Sequence, residues 1–157
     1  MRFLLLSVVF FLASCGGGED SMTVCSSKED FLQEVNKARA AGNTCSAPVL
    51  PLTINAQLQS TAEAFAKELA TNNIQAGHIG VDGSDLNTRV NRSGYTGFWT
   101  GENTAAGTVG AQQTTQAFVD SKGHCQNLMM DIATEVGLAC YEVKGRGYWV
   151  QVFGLQL

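Results

Sequence analysis

Apolar residues recur along the chain with several periods, and each predicts a different element. From Asn55, which is placed to cap a helix, Leu58, Ala62, Phe65 and Leu69 follow at steps of four, three and four. That is the spacing of one helix face. An earlier helix is predicted from near Lys28. Ser26 and Ser27 stand before Glu29 and Asp30 in a capping-box arrangement, Phe31, Val35 and Ala38 share a face, and Gly42 is a stop. Pro48 and Pro51 lie in a connection, and Asn72 to Gly83 reads as a loop. Ser84 opens a short helix with Leu86 and Val90 that ends near Gly94, and Val109 to Ser121 forms a further helix anchored by Phe118. Strand patterns come late. Phe98 to Asn103 is a short candidate, then Val136, Leu138 and Cys140 alternate towards a turn at Lys144-Gly145-Arg146-Gly147, and Tyr148 to Phe153 returns. Helices followed by an antiparallel hairpin predict an α+β fold, and no internal repeat is visible.

The longest apolar run is different in kind. Phe3 to Leu12 follows the single positive charge of Arg2 and is too short to span a bilayer, which takes about 20 apolar residues. It matches the apolar region of a secretory signal peptide. Leu12-Ala13-Ser14-Cys15 behind it resembles a bacterial lipobox, in which the Cys15 thiol is lipidated and cleavage makes it the first residue. Two or more acyl chains give stable membrane anchoring. The expected organisation is a signal peptide over 1–14, a lipidated cysteine and tether over 15–24, and one domain over 25–157. The short tether predicts a domain held close to the membrane, and in a Gram-negative cell Gly16 points to the outer membrane, facing the periplasm.

Composition agrees with this reading. Of 157 residues, 45% are apolar and only 15% charged, which excludes intrinsic disorder for most of the chain. The net charge of −4 with scattered Lys and Arg carries no footprint for nucleic acid. Five cysteines become four once Cys15 is assigned to lipid, and four cysteines in an oxidising compartment predict two disulfides. Three connectivities are open. The local one, Cys25–Cys45 with Cys125–Cys140, is the expectation carried forward, and neither CxxC nor paired-knuckle spacing supports a cysteine zinc site.

The residues able to do chemistry are few. His78 and His124 are the only histidines, with Glu102 between them in sequence. HExxH, GxSxG and GxxxxGK[ST] are all missing, so zincin, α/β-hydrolase and P-loop readings lack their signals. Trp99, Tyr148 and Trp149 read as core aromatics or as the lining of an apolar groove.

Several blocks together carry a likeness. Gly101-Glu102-Asn103, then Phe118 to His124 running on to Asn127-Leu128-Met129, then Tyr148 to Gly154, with Phe31 to Arg39 as an opening helix, resemble the signature segments of the CAP superfamily. That superfamily groups cysteine-rich secretory proteins, antigen-five venom proteins and pathogenesis-related proteins. The likeness runs over residues 28–157 and is greatest to the bacterial branch. It implies a three-layer α-β-α sandwich with a central antiparallel sheet and a cleft lined by two histidines and two acids. Here His78, Glu102 and His124 supply three of these, and Ser121 stands where the second acid is expected. Two imidazoles and one carboxylate would make a site for Zn²⁺ or another divalent cation. The implied functions are an envelope module binding a lipid, glycan or protein, a metal-dependent hydrolase using the same cleft, or a structural envelope protein whose cleft residues brace the fold.

Overall fold

The computed structural model describes residues 21–156. The expected signal peptide, the lipidated Cys15 and the first part of the tether lie outside the described residues. None of the described helices is long and apolar enough to cross a membrane.

The elements run β1 (Thr23–Val24), α1 (Lys28–Ala41), β2 (Thr53–Ile54), α2 (Ala56–Thr71), α3 (Leu86–Arg92), β3 (Phe98–Gly107), α4 (Ala111–Asp120), α5 (Lys122–Leu128), β4 (Glu135–Val143) and β5 (Arg146–Leu155). Both first helix starts lie where the capping residues put them. The Ser27 hydroxyl accepts the Asp30 N–H, and Asn55 Oδ1 accepts from Gln57 and Leu58. The helix expected over Val109 to Ser121 is α4, and what the sequence did not show is α5, a separate short helix directly after Ser121 that carries His124. The β3 strand is also longer than the six residues expected, running on to Gly107.

The sheet has the order β1-β4-β5-β3, with β2 parallel to the start of β4 and the other pairings antiparallel. Its two faces carry two cores. On one, Phe31 and Val35 of α1, Phe118 of α4 and Leu128 of α5 pack against Leu138, Trp149 and Phe153. On the other, Leu58, Phe65 and Leu69 of α2 and Val90 of α3 pack against Ala139, Tyr148, Val150 and Val152. The fold is therefore an α-β-α sandwich, and β5, paired on both edges, is buried along Tyr148 to Phe153. Gly137 is required by this packing, because a Cβ there would collide with the Leu58 carbonyl.

The disulfides differ from the local pairing expected. Cys25 bonds to Cys140 and Cys45 to Cys125. The reason is strand addition at the sheet edge. The β1 strand lies antiparallel to β4, with the Cys25 N–H donating to the Cys140 carbonyl at 3.3 Å, so Cys25 is beside Cys140. Cys45, in the turn after α1, meets Cys125 of α5 across the first core. The tether is accordingly shorter than expected, since Thr23–Val24 belong to the sheet.

The centre of the first layer is held by a buried cation. Arg39 is fully buried, with Nε donating to the Leu50 carbonyl, Nη1 to Leu128 and Met130, and Nη2 to Ala133. One guanidinium thus joins α1, the proline connection and the α5–β4 link. Burial lowers its pKa, with Asp131 acting in the opposite direction.

Candidate functional site

The strand β3 is at the free edge of the sheet, so residues on its two faces can meet groups from both helical layers around that edge. A register shift between Trp99 and Gly101 resets the alternation. Beyond it, Glu102 and Thr104 face the α2–α3 layer, and Asn103 and Ala105 face the α1–α4–α5 layer.

On the first side, Glu102 is buried, and both carboxylate oxygens are engaged. His78 Nδ1 is 2.9 Å from Oε1, and Arg89 Nη2 donates to Oε2 at 2.7 Å. Arg89 Nη1 also donates to the carbonyls of Ser84 and His78, at 2.8 and 3.1 Å, and its guanidinium carbon is 3.7 Å from the Phe65 ring centroid. The loop carrying His78 is thereby fastened to α3. It is fastened to the strand as well, because the Thr104 hydroxyl accepts the Gly77 N–H and donates to the Gly77 carbonyl. An ionised carboxylate only accepts, so His78 presents Nδ1–H to Glu102, and Nε2 is the ring nitrogen that Glu102 does not engage. The imidazole is 58% exposed, whereas Glu102 is 2% exposed.

On the second side, α5 is fitted against the strand by amides. Asn127 Nδ2 donates to the Glu102 carbonyl and to Asn103 Oδ1, and Asn103 Nδ2 donates to the His124 carbonyl and to Gln151 Oε1. Gly101 permits this approach, since a Cβ there would stand 2.9 Å from the Asn127 side-chain amide. The His124 ring meets Phe118 edge-on, with centroids 5.1 Å apart. Burial, and then the proximity of His78, lower the His124 pKa, which favours a neutral ring.

The structure therefore brings His78 and Glu102 into direct contact and His124 into electrostatic range of His78. It does not make Glu102 a free ligand. With one oxygen on His78 and the other on Arg89, the carboxylate stands behind the imidazole, the place from which metal sites orient a histidine. Among the described residues, no group of three His, Cys, Asp or Glu is arranged to hold a metal ion. A catalytic zinc site takes three protein ligands. This donor set, two imidazoles with an arginine-neutralised acid, does not fit one. Ser121 lies at the α4–α5 break, where its side chain makes no capping hydrogen bond.

Arg89 and the amides Asn103, Asn127 and Gln151 did not emerge as site residues from the sequence. The signal for Arg89 is positional: it is three residues after Leu86 and one before Val90, on the side of α3 that carries the apolar residues. Asn103 and Asn127 are within the signature blocks, and their partnership depends on β3 lying beside α5.

An α-β-α sandwich whose open sheet edge carries a buried acid, with one histidine brought to it from each helical layer, defines a class of domain. The model of the cysteine-rich secretory protein family, CAP, matches residues 32–153, and the chain belongs to that family. Solved structures agree on the fold. An extracellular protein containing an SCP domain from Bacillus anthracis superposes with a TM-score of 0.71 at 22% identity, over 82% of this chain and 40% of that one. An outer surface protein from Borrelia burgdorferi gives 0.66 at 18% identity, over 84% and 96% of the two chains. A cysteine-rich secretory protein from Staphylococcus aureus gives 0.55 at 17%, over 80% and 37%. This chain thus spans less than half of the first and third of these proteins. No curated protein matches it.

Proposed function

We propose that this CAP-domain chain is an exported envelope lipoprotein, anchored through Cys15, and that it acts as a binding module with the β3-edge cleft as its ligand site. The observation that carries the binding reading is the double engagement of Glu102. Its carboxylate is paired with Arg89 and committed to orienting His78, so Glu102 is offered neither as a free general base nor as a third metal ligand. His78 Nε2 and the neutral ring of His124 remain as two nitrogen donors, suited to a divalent cation held by two imidazoles or to a hydrogen-bonding headgroup or glycan. Export is supported by the lipobox-like Leu12 to Cys15 and by the neighbours, one described as extracellular and one as an outer surface protein.

Two measurements test this. Palmitate labelling of growing cells is expected to mark the wild-type chain and not Cys15→Ser, and label retained by Cys15→Ser overturns the anchor. Calorimetric titration with Zn²⁺ is expected to show weak binding that is lost in His78→Ala and in His124→Ala. Turnover of peptide, ester or peptidoglycan substrates that depends on Glu102 would overturn the binding reading in favour of a hydrolase.

A further inference from the structure

The direction of each main-chain group on the β3 edge follows from the far side of the sheet. Leu138 of β4 has both of its groups taken from outside by the Gln59 amide: its N–H donates to Oε1 at 3.0 Å, and its carbonyl accepts from Nε2 at 2.7 Å. Leu138 therefore turns its main chain away from β5, and Gln151, opposite it, turns its own towards β3. Asn103, opposite Gln151, completes that hydrogen-bonded pair, as do Ala105 with Trp149 and Gly107 with Gly147. The intervening residues, Glu102, Thr104 and Ala106, then point their N–H and C=O groups out of the sheet. Asn127 agrees with this parity, because its Nδ2 reaches the Glu102 carbonyl from outside.

Among the described residues, neither main-chain group of Thr104 or of Ala106 has a hydrogen-bond partner beyond the sheet, nor has the Glu102 N–H. Thr104 is only 3% exposed, and nearly all buried main-chain groups in proteins are paired. The opposite edge of the sheet is treated differently: β1 and β2 add to the outer side of β4, and Gln59 fills the gap between them. On β3 only the Glu102 carbonyl is closed off in this way. Beyond it the strand becomes more exposed from Thr104 to Gly107, where the side chains are two alanines and a glycine, so a further strand can enter without meeting a bulky group. Followed back towards Glu102, such a strand reaches the two imidazoles, since Glu102 holds His78 and Asn103 holds the His124 carbonyl.

We propose, on the binding-module reading of this same edge, that its ligand is polypeptide: an extended segment of a partner protein adds as a strand beside residues 104–106, with one end against the His78 and His124 rings. The edge selects this occupant by its pattern. Outward N–H and C=O groups recur at every second residue, a repeat of about 6.8 Å that a chain of peptide bonds matches and a glycan or an acyl chain does not. A second copy of this domain is the poorer fit, because its own β3 comes with α5 on one face and the His78 loop on the other, whereas a single extended segment comes with neither.

Hydrogen–deuterium exchange of the full chain in detergent micelles, resolved to single amides, tests this, with a pool of acetylated and amidated hexapeptides of randomised sequence as the probe. Without probe, the Ala106 amide is expected to exchange at least about ten-fold faster than that of Ala105, which the ladder holds. The pool at millimolar concentration is expected to slow Thr104 and Ala106 about ten-fold, the effect of adding hydrogen bonds at an open edge, and a fully N-methylated pool is expected to slow neither. Ala106→Pro removes an outward donor without touching the β3–β5 ladder, and its ring stands where the partner strand would lie. This variant is expected to keep Ala105 slow and to lose the protection of Thr104; should it not fold, the N-methylated pool decides. An Ala106 amide as slow as Ala105 in the free protein, no protection by the pool, or protection that survives N-methylation or Ala106→Pro overturns the inference. Protection that rises with protein concentration in the absence of probe assigns the edge to a second copy and overturns it equally. Zn²⁺ binding that needs both histidines, without protection by peptide, sinks the peptide edge alone, and peptide protection without metal binding upholds it.

Discussion

Replacing Arg89 by methionine keeps an unbranched side chain over Phe65 and removes the one cation facing Glu102. Three hydrogen bonds disappear, one to a carboxylate oxygen at 2.7 Å and two to the carbonyls of Ser84 and His78. The Glu102 carboxylate stays 98% buried, because its side chain is only 2% exposed. Removing one partner of a buried pair typically costs about 3–5 kcal/mol, since the remaining charge is uncompensated. Arg89 is 8% exposed, so screening reduces this little, and about 4 kcal/mol is expected. For a domain of this size that is a fall of roughly 10–15 °C in Tm. Urea unfolding followed by tryptophan fluorescence measures it. The decisive comparison is Arg89→Met/Glu102→Gln. With both charges gone, the double variant is expected to be less destabilised than the sum of the single variants by about 1–3 kcal/mol. If the two losses simply add, or if Arg89→Met costs under about 1 kcal/mol, the pair is not the brace described and the argument from it fails.

Other outcomes follow from the same geometry. Removing the Cys45–Cys125 bridge, whose cysteines are 80 residues apart, with Cys45→Ser/Cys125→Ser is expected to cost about 4.5 kcal/mol in the chain-entropy model. Peptide mapping without reduction is expected to yield Cys25–Cys140 and Cys45–Cys125, and a Cys25–Cys45 peptide would contradict the β1–β4 pairing. Because His124 has a lowered pKa in the folded state, the unfolded chain binds its proton first as pH falls. Stability is therefore expected to be full above about pH 6.5 and to decline below it towards the folded pKa, and His124→Gln is expected to flatten that part of the profile in denaturation series. Arg39→Lys is expected to lose about 2–4 kcal/mol, measured by thermal unfolding, because an ammonium cannot serve the carbonyls of Leu50, Leu128, Met130 and Ala133 together.

Local signals were the legible ones. Ser27 and Asn55 cap helices because capping depends on residues two or three positions away, and the stripe from Leu58 to Leu69 is buried as its period requires. The short helix α5 and the extra length of β3 were hidden, the latter because β3 is prolonged by its pairing with β5. The two structural arginines illustrate the limit well. Arg39 follows Val35 by four and Arg89 follows Leu86 by three, each at a spacing that an apolar stripe would fill. Position marks them as buried, but their acceptors are distant carbonyls and a carboxylate that only the assembled fold brings near. Within the site, the contact of His78 with Glu102 agrees with the family likeness, while the role of Glu102 changed once Arg89 appeared on its other oxygen. The disulfides failed for the same reason: loop length favoured neighbours in sequence, whereas the sheet edge made neighbours of residues 115 apart.

That connectivity has a temporal consequence as the chain emerges. Cys25 and Cys45 are the first two of the four domain cysteines to emerge, and neither has its partner until Cys125 and then Cys140 have followed. An oxidant acting on thiols in order of appearance would join Cys25 to Cys45, a bond the folded domain does not contain. The native pairs therefore require that the early thiols stay reduced until β4 has added to the sheet, or that the first bond be exchanged afterwards. The maturation of this domain is governed by its last thirty or so residues, however soon its first cysteine arrives.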